Sequence, residues 1–165
     1  MKRLLVIALS LGISLWAFGQ ETIEVKGMKF SYQVLGDEIE IELEAPTMGW
    51  VGVGFNERDD IVRSDLYLFH VVGDEVEGLD MYVVGAGNPK EDTELGGTMD
   101  VEALEGKEGG MHTWIKFRLP FPSTDTHDFS HRAGKQFWLI LAYSTHDEFD
   151  HHSRMREHVS FTFEK

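Results

Sequence analysis

The sequence contains no cysteine among its 165 residues. This absence excludes a disulfide, a thiolate zinc site, an iron–sulfur cluster, a cysteine nucleophile and covalent attachment of a c-type haem. A metal ion or a haem can be held only through histidine, methionine, tyrosine, lysine or carboxylate side chains. The binding chemistry open to this chain is therefore restricted before any motif is considered.

Basic residues are also scarce, because 15 lysines and arginines stand against 29 aspartates and glutamates, for a formal net charge of −14. The acidic residues are spread along the whole chain. A phosphate backbone or an anionic membrane surface would be repelled, so we predict that neither is a partner. Such acidity is typical of proteins that stay in solution outside the cell.

The first twenty residues have the pattern of a secretory signal peptide. Lys2 and Arg3 precede an apolar run over residues 4–18, and small residues follow at the positions that a signal peptidase reads. We predict cleavage between Gly19 and Gln20. The mature protein is then secreted or periplasmic.

Cleavage removes residues 1–19 and leaves residues 20–165, a length that suits one domain. The apolar run is shorter than the roughly 20 residues of a spanning helix, and no basic cluster follows it. No cysteine is present at the new N-terminus to carry a lipid. We therefore expect no stable membrane anchor after cleavage.

Hydrophobic and acidic residues alternate regularly over Glu38–Ala45, which predicts a strand with one buried face. A similar run over residues 29–34 precedes it. The two runs are joined through Gly36-Asp37, which suits a type II′ turn and predicts a hairpin. Gly73-Asp74 repeats this signal and predicts a second hairpin, formed by strands at Asp65–Val72 and at residues 75–84.

About eight short strands separated by glycine, aspartate and proline clusters predict an all-β fold, an antiparallel β-sandwich. Long polar loops are expected at residues 85–110 and 121–135, and such loops often carry function or insertions. No helix longer than a turn or two is predicted. The further strands are expected at residues 50–55, at 112–119, at Gln136–Tyr143 and at 158–163.

Gly52 and Gly54 alternate within one predicted strand and leave one of its faces without side chains. No helix and no lysine follow them, so they do not form a phosphate-binding loop. Close contact with a neighbouring strand and contact with a flat ligand both fit this pattern.

Five of the eight histidines lie between His127 and His152. Imidazoles and carboxylates in one loop can bind zinc, copper or nickel without thiolates. One hypothesis is therefore a metal site of His146, His151 and His152 with Asp147 or Asp150, which would lose its metal below about pH 6. A solvated polar turn explains the same residues equally well.

No pattern of catalytic residues is present. The sequence has no Gly-x-Ser-x-Gly elbow, and in so acidic a chain any pair of carboxylates chosen for glycoside hydrolysis would be arbitrary. We therefore do not predict an enzyme. Besides a ligand-binding module, a domain that acts only through protein contacts, with an unknown protein partner, remains an alternative.

Three segments stand in a characteristic order. In the first, residues 49–56, a tryptophan–glycine strand runs into a Gly-Phe pair, and Ser64 and Asp65 then begin the next strand. The second, residues 114–121, combines aromatic, arginine and proline residues with an aspartate downstream. The third, residues 137–143, is followed by a loop that reaches His152 and Arg156. Together they resemble the DOMON domain, the β-sandwich family first noticed at the N-terminus of dopamine β-monooxygenase.

The resemblance implies a module that holds haem b or a carbohydrate between loops and one sheet. In cytochrome members, such as the haem domain of cellobiose dehydrogenase, a methionine and a histidine hold a b-type haem. His152 matches the histidine position, whereas Ile61 falls at or near the methionine position and has no lone pair to give to iron. A second iron ligand could come from His70, Met81 or Met111.

An apolar slot lined by Trp50, Phe55, Tyr67 and Trp138, with His152 pointing into it, would favour haem. A sugar site would be open and lined by an exposed aromatic plane beside carboxylates and amides. The ligand-binding residues that the resemblance implies are Trp50, Phe55, Asp65, Tyr67, Trp138, His152 and Arg156.

Overall fold

The structure is a computed structural model that describes residues 21–73, 75–121 and 125–164. The predicted signal peptide, its cleavage site and Asp74 of the second predicted turn lie outside the described residues. Within the described ranges, no helix is both long enough and apolar enough to cross a membrane.

Eleven strands and one short 3₁₀ helix are present in the described chain. The 3₁₀ helix, Asp92–Leu95, lies between the seventh and eighth strands, and the described residues contain no longer helix, as predicted. The strands are β1 (Glu21–Val25), β2 (Met28–Leu35), β3 (Glu38–Ala45), β4 (Val51–Asn56), β5 (Asp65–Val72), β6 (Glu75–Gly85), β7 (Asn88–Glu91), β8 (Glu102–Gly109), β9 (His112–Pro120), β10 (Gln136–Tyr143) and β11 (Met155–Thr162).

The strands form two antiparallel sheets, one of five strands in the order β1-β2-β3-β9-β8 and one of six in the order β11-β10-β4-β5-β6-β7. The sheets share one core, which confirms the predicted all-β antiparallel sandwich. Both predicted hairpins are also confirmed. Leu35 pairs with Glu38 around Gly36, whose φ is 74°, and Val72 pairs with Glu75.

The core lies between the sheets because alternate residues of the central strands point inward. Aromatic rings fill one end of it, where the centroid of Phe137 lies 5.9 Å from that of Phe55 and 5.0 Å from that of Phe163. The buried residues that the five-stranded sheet contributes are Met28, Phe30, Tyr32, Ile39, Ile41, Leu43, Ala45, Ile115, Phe117 and Leu119.

Ion pairs cover the outer face of the five-stranded sheet. Glu40 of β3 lies 2.6 Å from Lys116 Nζ and 3.2 Å from Arg118 Nη2, both on β9. On β2, Lys29 Nζ lies 3.1 Å from Glu44. Because charged side chains occupy this face, an apolar ligand fits better on the other sheet.

The outer face of the six-stranded sheet carries a second, smaller hydrophobic cluster. Its members come from β5, β6 and β10, from the residue just before β4 and from the loop after β10, so an apolar surface exists outside the sandwich core. The buried members are Trp50, Leu68 and Ala142, and Leu66, Met81 and Phe149 pack against them.

The expectation of a long loop at residues 85–110 is wrong. This segment contains β7, the 3₁₀ helix and the edge strand β8. The side chains of β8 are exposed or half-buried, so the strand lacks the apolar alternation from which a strand is predicted. The last strand, β11, begins at Met155 instead of at residue 158.

Candidate ligand cavity on the six-stranded sheet

Two glycines of β4, Gly52 and Gly54, lie on the outer face of the six-stranded sheet beneath side chains of the neighbouring strands. A Cβ atom at Gly52 would lie 2.4 Å from Leu68 Cδ2, and one at Gly54 would lie 3.4 Å from both Ile140 Cβ and Leu66 Cδ1. Aliphatic side chains of β5 and β10 therefore lean over the glycines. Close strand packing and an apolar surface both arise from these two positions.

A loop of residues 144–154, here called the histidine loop, covers part of this surface. Its first residues are tied to the start of β4, because Ser144 N donates to Trp50 O at 2.9 Å and Trp50 N donates to His146 O at 3.0 Å. A Cβ atom at Gly49 would lie 2.4 Å from His146 N. Only glycine therefore allows the loop to approach β4 this closely.

The middle and the end of the histidine loop are also held against the sheet. The Nδ1 atom of His70, on β5, lies 2.9 Å from Asp147 O, and the ring centroid of His70 lies 4.5 Å from that of Phe149. At the end of the loop, Arg154 N donates to Tyr143 O at 2.8 Å. The loop is therefore anchored along its whole length.

Sheet and loop enclose a space of about 340 Å³, here called the outer-face cavity. This volume lies within the range of small-molecule sites, and most of the lining is apolar, as such sites usually are. The lining residues are Trp50, Ile61, Leu66, Leu68, Val83, Gly87, Pro89, Ile140, Ala142, Phe149, Asp150, His151, His152, Ser153 and Arg156.

A few polar groups complete this lining. Trp50 Nε1 is buried and has no hydrogen-bond partner among the described residues, although indole N–H groups usually find one when buried. The carbonyl of His152 accepts a bond from Ser144 Oγ at 3.4 Å, and its exposed imidazole bonds to no described residue. Arg156, on β11, is exposed. One N–H donor, one imidazole and one cation are thus available to a ligand.

Three of the ligand-binding residues implied by the resemblance meet in the outer-face cavity. They are Trp50, His152 and Arg156, and Ile61 joins them in the lining. Trp138 points to the same outer face of β10 but lies outside the lining, nearer the other end of the strand.

Phe55 and Tyr67 are not in this cavity, because they lie on the opposite face of the six-stranded sheet, buried in the core. Side chains alternate along a strand, and Phe55 is separated from Trp50 by an odd number of positions. Tyr67 pairs with Val53, another core residue of β4. The four-aromatic slot expected from the sequence therefore does not form.

Asp65 lies on the core side of the sheet, where it is 2% exposed. Its Oδ2 atom accepts hydrogen bonds from Phe129 N at 2.8 Å and from Tyr67 Oη at 3.0 Å. Burial raises the pKa of Asp65 well above its usual range, and the neighbouring carboxylates of Asp80 and Asp128 add to the increase. Asp65 also lines a polar cleft of about 500 Å³, which shares no lining residue with the outer-face cavity.

The three candidates for a second iron ligand have different surroundings in the structure. Both ring nitrogens of His70 already have partners, Asp147 O at 2.9 Å and Glu77 Oε2 at 3.0 Å. Met111 is 76% exposed in the turn between β8 and β9, which belong to the other sheet. Only Met81 packs against the outer hydrophobic cluster.

His146, Glu148 and His151 of the histidine loop form a separate, exposed group. Their potential ligand atoms all lie within 4.8 Å of one another, and the rings of His146 and His151 stack with centroids 4.3 Å apart. His152, Asp147 and Asp150, which the metal hypothesis also names, do not belong to this group.

Leu66, Leu68 and Ile140 are cavity residues that the sequence reasoning missed. A usable signal was present, since Leu66 and Leu68 alternate with Tyr67 and Phe69 in β5. A strand that is apolar on both faces indicates that both faces are covered.

Fold and cavity together define an antiparallel β-sandwich module with a ligand-sized space on one outer face. The family model of the DOMON domain matches residues 24–144, and the chain belongs to this family. The resemblance seen in the sequence is thereby confirmed.

Curated relatives show the same affiliation. The chain is 33% identical over 102 residues to DBH-like monooxygenase protein 2 of Mus musculus, a match that covers 61% of this chain and 16% of that protein. It is 31% identical over 111 residues to MOXD1 homolog 1 of Drosophila melanogaster, covering 63% of this chain and 15% of the relative. The chain thus matches only a small part of these longer proteins.

Two solved cytochrome domains share the fold. The cytochrome b domain of pyranose dehydrogenase from Coprinopsis cinerea superposes with a TM-score of 0.63 at 11% identity, covering 82% of this chain and 76% of that one. For the cytochrome domain of Myriococcum thermophilum cellobiose dehydrogenase, the TM-score is 0.58 at 13% identity, with 86% and 77% covered. At these identities the likeness concerns the fold alone.

Proposed function

We propose that this chain is an exported DOMON module that binds haem b in the outer-face cavity, with His152 as the side-chain ligand of the iron. The observation that carries the proposal is the mostly apolar lining of the cavity, which includes His152 with an unengaged imidazole and Trp50 with an unpaired indole N–H. The fold shared with two cytochrome domains supports it.

The residues of the cavity fit a haem with one side-chain ligand. A bound b-type haem supplies one-electron chemistry, and the protein tunes it through the axial ligand and the polarity of the pocket. Trp50 Nε1 can donate a hydrogen bond, and Arg156 can pair with a carboxylate of the ligand. Ile61 has no donor atom, so we expect no second ligand from that position.

The lining favours haem over a carbohydrate. Sugar recognition needs several side-chain amides and carboxylates beside an exposed aromatic plane. In the outer-face cavity, the floor and inner wall are aliphatic, and Trp50 is only 4% exposed. A carbohydrate remains the alternative ligand, and the same titration tests it.

A hemin titration of the purified mature protein, followed by absorption and then by dithionite reduction, tests the proposal. We expect a Soret band that saturates at one haem per chain, with affinity lowered about 10-fold or more in His152→Ala. The matched control is His112→Ala, an exposed histidine of the other sheet. Non-saturating uptake, or equal uptake by His152→Ala, would refute the site. A sugar panel would then separate carbohydrate binding from a role in protein contacts alone.

The group of His146, Glu148 and His151 supports a second candidate function, binding of a transition metal. Imidazole and carboxylate are suitable zinc, copper and nickel ligands, and their atoms already converge. Calorimetric titration with each metal should show binding that His146→Gln weakens, while hemin uptake stays unchanged because His146 lies outside the cavity lining. Equal metal affinity in His146→Gln would reject this function.

Export is part of the proposal. It rests on the signal pattern of residues 1–19 and on membership of the DOMON family. Mass spectrometry of the secreted product should give an N-terminus at Gln20. An intracellular product that keeps Lys2 and Arg3 would contradict export.

A further inference from the structure

A cluster of aspartates lies at a distance from the histidine loop, where three segments of the chain meet. Asp80 comes from β6, Asp92 begins the 3₁₀ helix, and Asp128 belongs to the segment after β9. Each offers a carboxylate oxygen, and the three oxygens lie within 4.8 Å of one another. Asp125 and Asp100 extend the cluster through the group that they form with Asp128.

Two of these carboxylates are buried and have oxygen atoms without a hydrogen-bond partner among the described residues. Asp92 is 1% exposed, and neither of its carboxylate oxygens has a hydrogen-bond partner among the described residues. Asp80 is also 1% exposed, and its Oδ1 atom has no hydrogen-bond partner among the described residues. No ion pair joins either side chain to a described lysine or arginine. A buried carboxylate in such surroundings is costly unless a cation compensates it.

The other oxygens are fixed by backbone donors, so the cluster is organised before any ion binds. Asp80 Oδ2 accepts from Asp100 N at 2.9 Å. Asp125 accepts from His127 N at 2.7 Å and from Thr98 N at 2.8 Å. The carboxylates are therefore held in place although they repel one another.

Burial and the neighbouring carboxylates also change the pKa values of Asp80 and Asp92. Burial, reinforced by the neighbouring carboxylates of Asp92 and Asp128, raises the pKa of Asp80 to about 7. Burial, with Asp125 as the next largest cause, raises the pKa of Asp92 to about 6. The nearby His127 acts in the opposite direction on Asp92 and offsets only part of the increase in its pKa.

We propose that Asp80, Asp92 and Asp128 bind a calcium ion, which joins β6, the 3₁₀ helix and the segment that follows β9. Oxygen ligands alone select a hard cation over zinc or copper. Three carboxylates that come from separate segments suit the variable coordination of calcium better than the strict octahedral coordination of magnesium. This site is independent of the haem proposal.

The proposed ion would stabilise the segment that carries Phe129. One residue after Asp128, Phe129 donates its backbone N–H to Asp65 and packs on the core ring of Phe137 at 5.2 Å between centroids. Calcium at Asp128 would therefore stabilise one end of the sandwich.

The test uses the mature chain, stripped with EDTA and then titrated with CaCl₂, MgCl₂ or ZnCl₂ by calorimetry and thermal melting. We expect one calcium per chain and a melting temperature that rises with calcium concentration. In Asp92→Asn, calcium affinity should fall about 10-fold or more, while the melting temperature in EDTA should rise because one repelling charge is lost. The matched control is Glu94→Gln, which removes a charge from the same 3₁₀ helix at an exposed ion pair with Lys90.

Several results would overturn the proposal. One is a wild-type melting temperature that does not respond to calcium, and another is the same calcium response in Asp92→Asn as in Glu94→Gln. A lower melting temperature of Asp92→Asn in EDTA, together with an unchanged calcium affinity, would show a structural role only. A response to zinc alone that His127→Gln abolishes would assign the cluster to a different metal.

Discussion

The backbone N–H of Phe129 donates a 2.8 Å hydrogen bond to the buried carboxylate of Asp65. This bond joins the first residue of β5 to a segment 64 residues later in the chain. Tyr67 Oη donates to the same oxygen at 3.0 Å, so one carboxylate oxygen satisfies two buried donors. Asp65 therefore acts here as a structural connection between two segments.

Two substitutions of Asp65 test whether its role requires only a hydrogen-bond acceptor or also the negative charge of the carboxylate. In Asp65→Ala, both donors lose their acceptor in the interior, which should lower the free energy of unfolding by about 2–4 kcal/mol. In Asp65→Asn, the amide oxygen can still accept, so the loss should be smaller. Urea unfolding at pH 7 measures both variants. An equal loss in both would mean that the ionised carboxylate itself is required.

A side chain at residue 49 should move the histidine loop. A Cβ atom in Gly49→Ala would lie 2.4 Å from His146 N and 2.6 Å from His146 O, and these backbone atoms can yield only if the loop shifts. We expect a loss of about 1–3 kcal/mol in the free energy of unfolding and weaker hemin uptake.

The matched control for Gly49→Ala is Gly109→Ala, because an added Cβ at Gly109 meets nothing within 4 Å. Chemical unfolding and hemin titration of the two variants make the comparison. If both variants bind hemin like the wild type, the position of the histidine loop does not control the cavity.

Introducing a thioether at residue 61 should change the coordination of a bound haem. Ile61 lines the same cavity as His152, and methionine is an established partner of histidine in six-coordinate haem proteins. We expect Ile61→Met to shift the absorption spectrum of the haem complex towards the six-coordinate, low-spin form, whereas Ile61→Leu leaves it unchanged. Identical spectra for the two variants would place residue 61 out of reach of the iron.

His131 should make stability depend on pH in a defined window. It is 2% exposed, lies against rings such as that of Phe55 at 4.5 Å between centroids, and has no hydrogen-bond partner among the described residues for either ring nitrogen. Burial lowers its pKa from 6.5 to about 3. Between these values the unfolded chain binds a proton that the folded chain does not, so the His131 contribution falls as the pH drops from 6.5 towards 3.

The variant His131→Leu isolates this contribution. Asp80 and Asp92 have raised pKa values and act in the opposite direction, because the folded chain keeps their protons at a pH where the unfolded chain has lost them. Relative to the wild type, His131→Leu should gain up to about 1.4 kcal/mol for each pH unit below 6.5. Denaturant unfolding from pH 7.5 to pH 4.5 measures the difference. A difference that is constant with pH would contradict the buried neutral state of His131.

Most of the fold could be predicted from the sequence, because its central strands alternate between one apolar and one polar face. The predicted bounds of β3, β5 and β10 match the structure. Three strands, β1, β7 and β8, were missed, and the reasons are identifiable for the last two. β7 has only four residues and includes Pro89, while β8 is an exposed edge strand of acidic residues and glycine. Neither buries enough apolar surface to leave a periodic signal.

The candidate site was predicted only in part. The order of the three segments pointed to Trp50 and His152, which do line the cavity, but the alternation of side chains along a strand places Phe55 on the opposite face. The aspartate cluster was not predicted, because Asp80, Asp92 and Asp128 are distant in sequence and meet only through the pairing of β6 with β7 and the path of the chain after β9.

The alternation in β4 also bears on how this protein could be engineered. Its odd-numbered residues, such as Val51 and Val53, build the sandwich core, whereas Gly52 and Gly54 leave room on the outer face for Leu66, Leu68 and Ile140, which line the cavity. The core and the support of the outer surface are thus encoded at interleaved positions of the same strand. Libraries that vary only the outward residues of the neighbouring strands, Leu66 and Ile140, can explore new ligands while the core sequence stays constant.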